Sequence, residues 1–135
     1  MGPATPNAPT VLMVVDDDPN ASELERAILE PAGYQVLRAS SGPSAIALLE
    51  AGTAIDLLIA DLSMPAMDGA EMVRRIRQTR PDLKVLYVTG FIDSLMNLRP
   101  LREGEAFLEK PVSIAGLREA VAFLLYGTAT KPPTS

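Results

Sequence analysis

The chain contains no cysteine and no histidine. Without cysteine there is no disulfide framework, no thiolate metal site and no thiol nucleophile. Without histidine the commonest zinc ligand and the usual proton-transfer side chain near neutral pH are gone, and no phosphohistidine forms on this chain. Long apolar runs are lacking as well, and none is long enough to cross a bilayer. The N-terminus MGPATPNAPT has neither a basic start nor an apolar stretch, so no signal peptide is expected, and the expected location is cytoplasmic. A net charge of −5 weighs against direct nucleic-acid binding. What is present is a chain of 135 residues, 47% hydrophobic, long enough for one domain with a real core.

Prolines 3, 6 and 9 and the pair Pro132–Pro133 mark flexible tails over 1–10 and 127–135, leaving a domain body over 11–126. Within the body strand-like and helix-like segments alternate. VLMVV (11–15) is short and β-branched and is expected as a buried strand. Asp18 followed by Pro19 has the form of an N-cap with proline in the first helical position. Leu24, Ala27 and Ile28 then recur at helical spacing until Pro31 and Gly33. Further strands are expected over YQVLRA (34–39), IDLLIAD (55–61), KVLYVTG (84–90) and EAFLEK (105–110). Helices are expected over 41–52, after Asp68 with Glu71 as its capping partner, and after Ser113 with Ile114, Leu117, Val121 and Leu124 on one face. Arg74, Arg75, Arg77 and Arg80 are expected as a solvated basic face, and Met64 and Met67 as packing. Alternation of this kind implies an α/β fold: a doubly wound parallel sheet with helices on both faces.

That register gathers the unusual residues at one edge. Asp16 and Asp17 follow the first strand, Asp61 ends the third, Thr89 the fourth and Lys110 the fifth. In an open α/β sheet the carboxyl edge is where ligands bind. Three carboxylates, a hydroxyl and an ammonium, with no His or Cys, suit a hard cation such as Mg²⁺ together with a phosphoryl group that needs charge neutralisation. Pro111 after Lys110 admits a cis bond that aims the lysine. Asp18 is assigned to the helix cap alone.

The pieces VVDDDP (14–19), IADLSMPAMDG (59–69), YVTG (87–90) and FLEKP (107–111) resemble, in order and spacing, the receiver domains of bacterial two-component response regulators. The resemblance covers Val11 to Tyr126 and implies a flavodoxin-like five-stranded sheet in the order 2-1-3-4-5, the topology the general rule for such sheets takes as an example. It implies that Asp61 is a phosphoacceptor charged by a histidine on a sensor kinase or phosphotransfer protein. Mg²⁺ would be held by the side chains of Asp17 and Asp61 and the main-chain carbonyl of Ser63, with Asp16 acting through water. Thr89 and Phe107 would form the switch. Many members carry Tyr where this chain has Phe107, so any signal there must travel by packing. Such a protein is a signalling switch and not a turnover enzyme. It catalyses only its own phosphorylation and dephosphorylation, and its output is contact with a downstream protein. No DNA-binding or catalytic output domain is expected after Tyr126.

Three other uses of these residues are weaker. Asp16-x-Asp18 resembles the start of a haloacid-dehalogenase-type phosphatase motif, but Asn20 stands where Thr or Val is expected. A calcium loop fails at Ala21 and Ala27, which replace the required glycine and the last acidic ligand. A phosphate-independent interaction module on the same fold would be expected to have lost one of the acids, Thr89 or Lys110. One segment departs from the family: FIDSLMNLRPLREG (91–104) contains Pro100, which predicts a short, bent or disordered element.

Overall fold

A computed structural model describes residues 9–62, 69–90 and 104–127. In chain order it contains β1 (Val11–Val15), α1 (Pro19–Leu29) with a 3₁₀ turn over Glu30–Ala32, β2 (Gln35–Ala39), α2 (Gly42–Glu50), β3 (Leu57–Asp61), α3 (Gly69–Ile76), β4 (Lys84–Thr89), β5 (Glu105–Glu109) and α4 (Ile114–Tyr126). The strands form one five-stranded sheet ordered β2-β1-β3-β4-β5, and every pairing is parallel. This is the order the resemblance implied. The expected pairing of Asp68 with Glu71, the packing of Met64 and Met67, and the segment around Pro100 lie outside the described residues.

Alternation along the central strands divides the core between two faces. Met13 and Val15 of β1 and Leu58 and Ala60 of β3 pack with Ala45 and Leu49 of α2 and Met72, Val73 and Ile76 of α3. Leu12, Val14, Leu57 and Ile59 pack on the other face with Ile28 and Leu29 of α1 and Leu117, Val121 and Leu124 of α4. All five residues of β3 are buried. That is why its sequence shows no polar alternation until Asp61.

Helix starts follow the local chemistry. Asp18 accepts a hydrogen bond from the Asn20 amide at 2.9 Å with Pro19 in the first turn, and Ser113 accepts one from Gly116. Ser41, expected inside its helix, is instead the cap that accepts from the Ser44 amide. The buried face of α1 is rotated from expectation, and α4 departs from it at one residue. The buried stripe of α1 is Ser22, Glu25, Ile28 and Leu29, whereas Leu24 and Ala27 are exposed. Ile114 also points outward, leaving Leu117, Val121 and Leu124 to anchor α4.

The basic face divides in the same way. Arg74 and Arg75 are exposed partners of Glu71. Arg77 and Arg80 are not a solvated face. Arg80 donates to the carbonyls of Leu49 and Thr53, closing the end of α2, and Arg77 pairs with the buried Glu105 while donating to the Leu83 carbonyl. Buried or half-buried guanidinium groups of this sort act as carbonyl caps, because five donors can serve several acceptors at once.

Candidate functional site

The parallel register levels the carboxyl ends of the four strands β1, β3, β4 and β5. Val15 lies opposite Ala60, Asp61 opposite Val88, and Thr89 opposite Glu109. The next residue out on β1 is Asp16 and on β5 is Lys110, whose amide donates to the Thr89 carbonyl at 2.8 Å. Residues from 16 to 110 thus converge without any loop having to reach for them.

Within this edge, one carboxylate oxygen from each of Asp16, Asp17 and Asp61 lies within 4.8 Å of the others. Asp16 and Asp61 are 3% and 4% exposed, while Asp17 faces solvent. A buried pair of acids on a shared floor is costly unless a cation answers it. Lys110 Nζ lies 3.3 Å from Asp16 Oδ2 and 3.4 Å from Asp61 Oδ2. The Asp18 amide donates to Asp16 Oδ1 at 2.9 Å. Burial raises the Asp16 carboxyl above the ordinary carboxylate range and the charge on Asp61 adds to it, while the Asp18 amide and Lys110 pull the other way. Burial alone would lower the Lys110 ammonium, but the two carboxylates outweigh it and its net direction is upward.

The donor set is all oxygen and carries more negative charge than one lysine neutralises. It fits a hard divalent cation of the magnesium type. A cavity of about 430 Å³ lies beside two of these acids, bordered by Asp16, Asp17, Arg38 and Ser44 among others. Thr89 is buried at 2% exposure at the end of β4. Phe107, half-buried, stands opposite Tyr87 in the β4–β5 register and packs on the face covered by α2 and α3. The Lys110–Pro111 bond is cis. Ser63 lies outside the described residues.

The profile of the response regulator receiver domain matches residues 12–122. This chain belongs to that family. The receiver domain is 36% identical over 118 residues to the sensor kinase CckA of Brucella abortus, covering 86% of this chain but only 12% of that protein. It is 39% identical over 87 residues to the response regulator receiver protein CpdR of the same organism, covering 64% of this chain and 71% of CpdR. Among solved structures it is similar to the receiver domain of the hybrid histidine kinase CckA, at 31% identity and a TM-score of 0.72 over 85% of this chain and 98% of that one. It is also similar to the response regulator TrrA of Thermotoga maritima, solved with Mg²⁺ and BeF, at 29% identity and a TM-score of 0.73 over 86% of this chain and 99% of that one. The family is a signalling one whose members act as phosphoacceptors in two-component systems. No helix among the described residues is long and apolar enough to cross a membrane.

Two residues of this neighbourhood escaped the sequence reading. Glu25 is buried beneath the site on α1, where an apolar side chain is the default. Gly69 opens α3 so close to the third strand that a Cβ there would lie 2.5 Å from the Asp61 carbonyl oxygen and 3.2 Å from Leu62 Cα. The neighbour is backbone and cannot step aside cheaply. Gly69→Ala gains roughly 1 kcal/mol of helix propensity but incurs an overpacking cost of about 1–3 kcal/mol, and the clash falls on the Asp61 main chain itself. The expected result is a lower urea midpoint. Unchanged stability would mean that α3 shifts freely on the sheet.

Proposed function

We propose that Asp61 is the phosphoacceptor, with Asp16, Asp17, Thr89 and Lys110 completing the site. The observation that carries this reading is the convergence of three carboxylates within 4.8 Å, two of them shared by Lys110. An Asp61 carboxylate oxygen attacks phosphorus on a partner's phosphohistidine. The P–N bond breaks, the imidazole nitrogen leaves with the electron pair, and an acyl phosphate forms on Asp61. Water reverses the modification by attacking the same phosphorus. Lys110 pairs with the developing charge on the phosphoryl oxygens, and the Thr89 hydroxyl donates to one of them. Bound Mg²⁺ supplies neutralisation of the charge shared by phosphoryl oxygens and carboxylates. Asp17 and Asp61 would hold it directly and Asp16 through water, and the family resemblance would add a main-chain carbonyl at Ser63.

The phosphodonor in this reading is a sensor histidine kinase or a histidine phosphotransfer protein, since the chain has no histidine of its own. Relatives in which such a domain is joined to a kinase support that partner class. The phosphorylated form signals when Thr89 is drawn to Asp61 and Phe107 turns toward the space it leaves. Phe107 has no hydroxyl, so the change is read as packing by a downstream protein.

The metal assignment is tested by comparing neighbouring acids. Asp18 is already engaged as the α1 cap, whereas Asp17 belongs to the carboxylate cluster. Asp17→Asn should weaken Mg²⁺ binding by about 1–3 kcal/mol, the scale of one lost charge-assisted contact. Asp18→Asn, which keeps a competent cap, should leave it nearly unchanged. Calorimetric titration of both variants decides. Equal weakening would place the metal register one residue away.

A further inference from the structure

Among the described residues, the buried polar side chains are Asp16, Ser22, Glu25, Asp61, Thr89 and Glu105. Asp16 and Asp61 hold Lys110, the Ser22 hydroxyl donates to the Pro19 carbonyl, Glu105 takes Arg77, and Thr89 is engaged as well. Glu25 differs. It is 2% exposed, and among the described residues its carboxyl takes part in no hydrogen bond or ion pair. A carboxyl on a buried helix stripe costs stability that an apolar residue there would not.

Its surroundings supply a candidate partner. Glu25 and Lys110 both line a cavity of about 320 Å³ whose other walls are Ala21 and Leu24 of α1 and Pro111 and Val112 after β5. Asp18 borders the same space, but its carboxylate is occupied by the Asn20 amide. Lys110 is loosely seated. Its contacts of 3.3 and 3.4 Å exceed the roughly 2.7–2.9 Å of a strong charge-assisted bond, and its side chain is 32% exposed. A divalent cation arriving at Asp16, Asp17 and Asp61 takes over the carboxylates that hold this ammonium and repels it. The displaced ammonium then needs another anion within reach.

We propose that Glu25 is a positioning residue: it receives the Lys110 ammonium in the shared cavity when a divalent cation occupies Asp16, Asp17 and Asp61. The inference rests on the magnesium reading above. It makes Lys110 a side chain with two seats, one on the empty site and one beside the loaded site, ready to return to an incoming phosphoryl group. The electrostatics point the same way. Burial, reinforced by Asp16 and Asp61, pushes the Glu25 carboxyl up to about 7, and Lys110 is the group that opposes the rise. The approaching ammonium therefore stabilises the charged form of Glu25.

The test is a Mg²⁺ titration of the full chain by calorimetry at pH 8, with Glu25→Gln, Glu25→Asp, Lys110→Met and the Glu25→Gln/Lys110→Met double variant. Glu25→Gln should weaken Mg²⁺ about five-fold, the scale of one partly screened ion pair. Glu25→Asp should retain most of the affinity, and in the Lys110→Met background Glu25→Gln should add nothing. Wild-type affinity in Glu25→Gln overturns the proposal. So does a five-fold loss that persists without Lys110, because Glu25 would then act on the ion directly through its field. A wild-type chain that binds no Mg²⁺ removes the metal reading itself, and this proposal with it. Melting curves provide the folding control. If Glu25→Gln fails to fold, Glu25→Leu, which suits the apolar stripe of α1, takes its place with the same expected loss.

Discussion

Asp61→Asn is expected to take up no phosphoryl group under conditions in which the wild-type chain gains one. The substitution keeps shape and removes only the anionic nucleophile. The surrounding acids, Lys110 and the strand-end register should therefore stay in place, and any loss reports chemistry and not misfolding. Asp61 is suited to the role by position. It is the last residue of a fully buried strand, so its side chain is the first polar group to emerge at the edge, flanked by Asp16 on one side and Lys110 on the other. With acetyl phosphate and Mg²⁺, intact mass measures the outcome directly and requires no partner kinase. Phosphoryl transfer depends on positioning and charge stabilisation, so loss of the attacking group should remove essentially all of the reaction. Stoichiometric labelling of the Asp61→Asn variant would move the phosphoacceptor elsewhere and sink the site assignment.

The fold and the acid cluster were legible for a shared reason. A parallel sheet with helical crossovers puts every strand's carboxyl end at one edge, so a strand boundary in the sequence is also a coordinate in the site. Asp16, Asp61, Thr89 and Lys110 each sit at such a boundary, and an error of one residue in strand length would not have separated them. The rotation of α1 was harder to read. Leu24, Ala27 and Ile28 form one helical stripe and Ser22, Glu25, Ile28 and Leu29 another, their centres about 120° apart. Hydrophobicity favours the first, whereas the Asp18 cap and the anchoring of Ile28 and Leu29 fix the second. Glu25 was missed for that reason, since an apolar-inside rule assigns glutamate to solvent by default. Arg77 and Arg80 were missed for another. Their partners lie on other elements, far away in the chain, and local charge pattern carries no information about those.

The largest stability effect in the molecule is expected at that missed arginine. Glu105 has a fully buried side chain at the start of β5, where it accepts from Arg77 and from the Tyr87 hydroxyl. Removing one member of such a pair leaves the other charged and buried, which costs about 3–5 kcal/mol, far more than an exposed pair is worth. Arg77 also donates to the Leu83 carbonyl and is only 14% exposed, so water cannot easily replace it. Arg77→Met should therefore lower unfolding free energy by about 3 kcal/mol or more in urea titration, whereas Arg74→Met, whose guanidinium is exposed, should shift it far less. Adding Glu105→Gln should recover part of the loss, because a neutral amide needs no counter-charge but can still accept from Tyr87. The consequence reaches the proposed switch residues. Glu105 lies two residues before Phe107 on the same face of β5, and Tyr87 lies opposite Phe107 and two residues before Thr89. Loosening the Arg77 end should therefore disturb packing around Phe107 while leaving Mg²⁺ binding at the other end of the strands intact. A loss below 1 kcal/mol for Arg77→Met, or no recovery in the double variant, would show that the ion pair is incidental to β5.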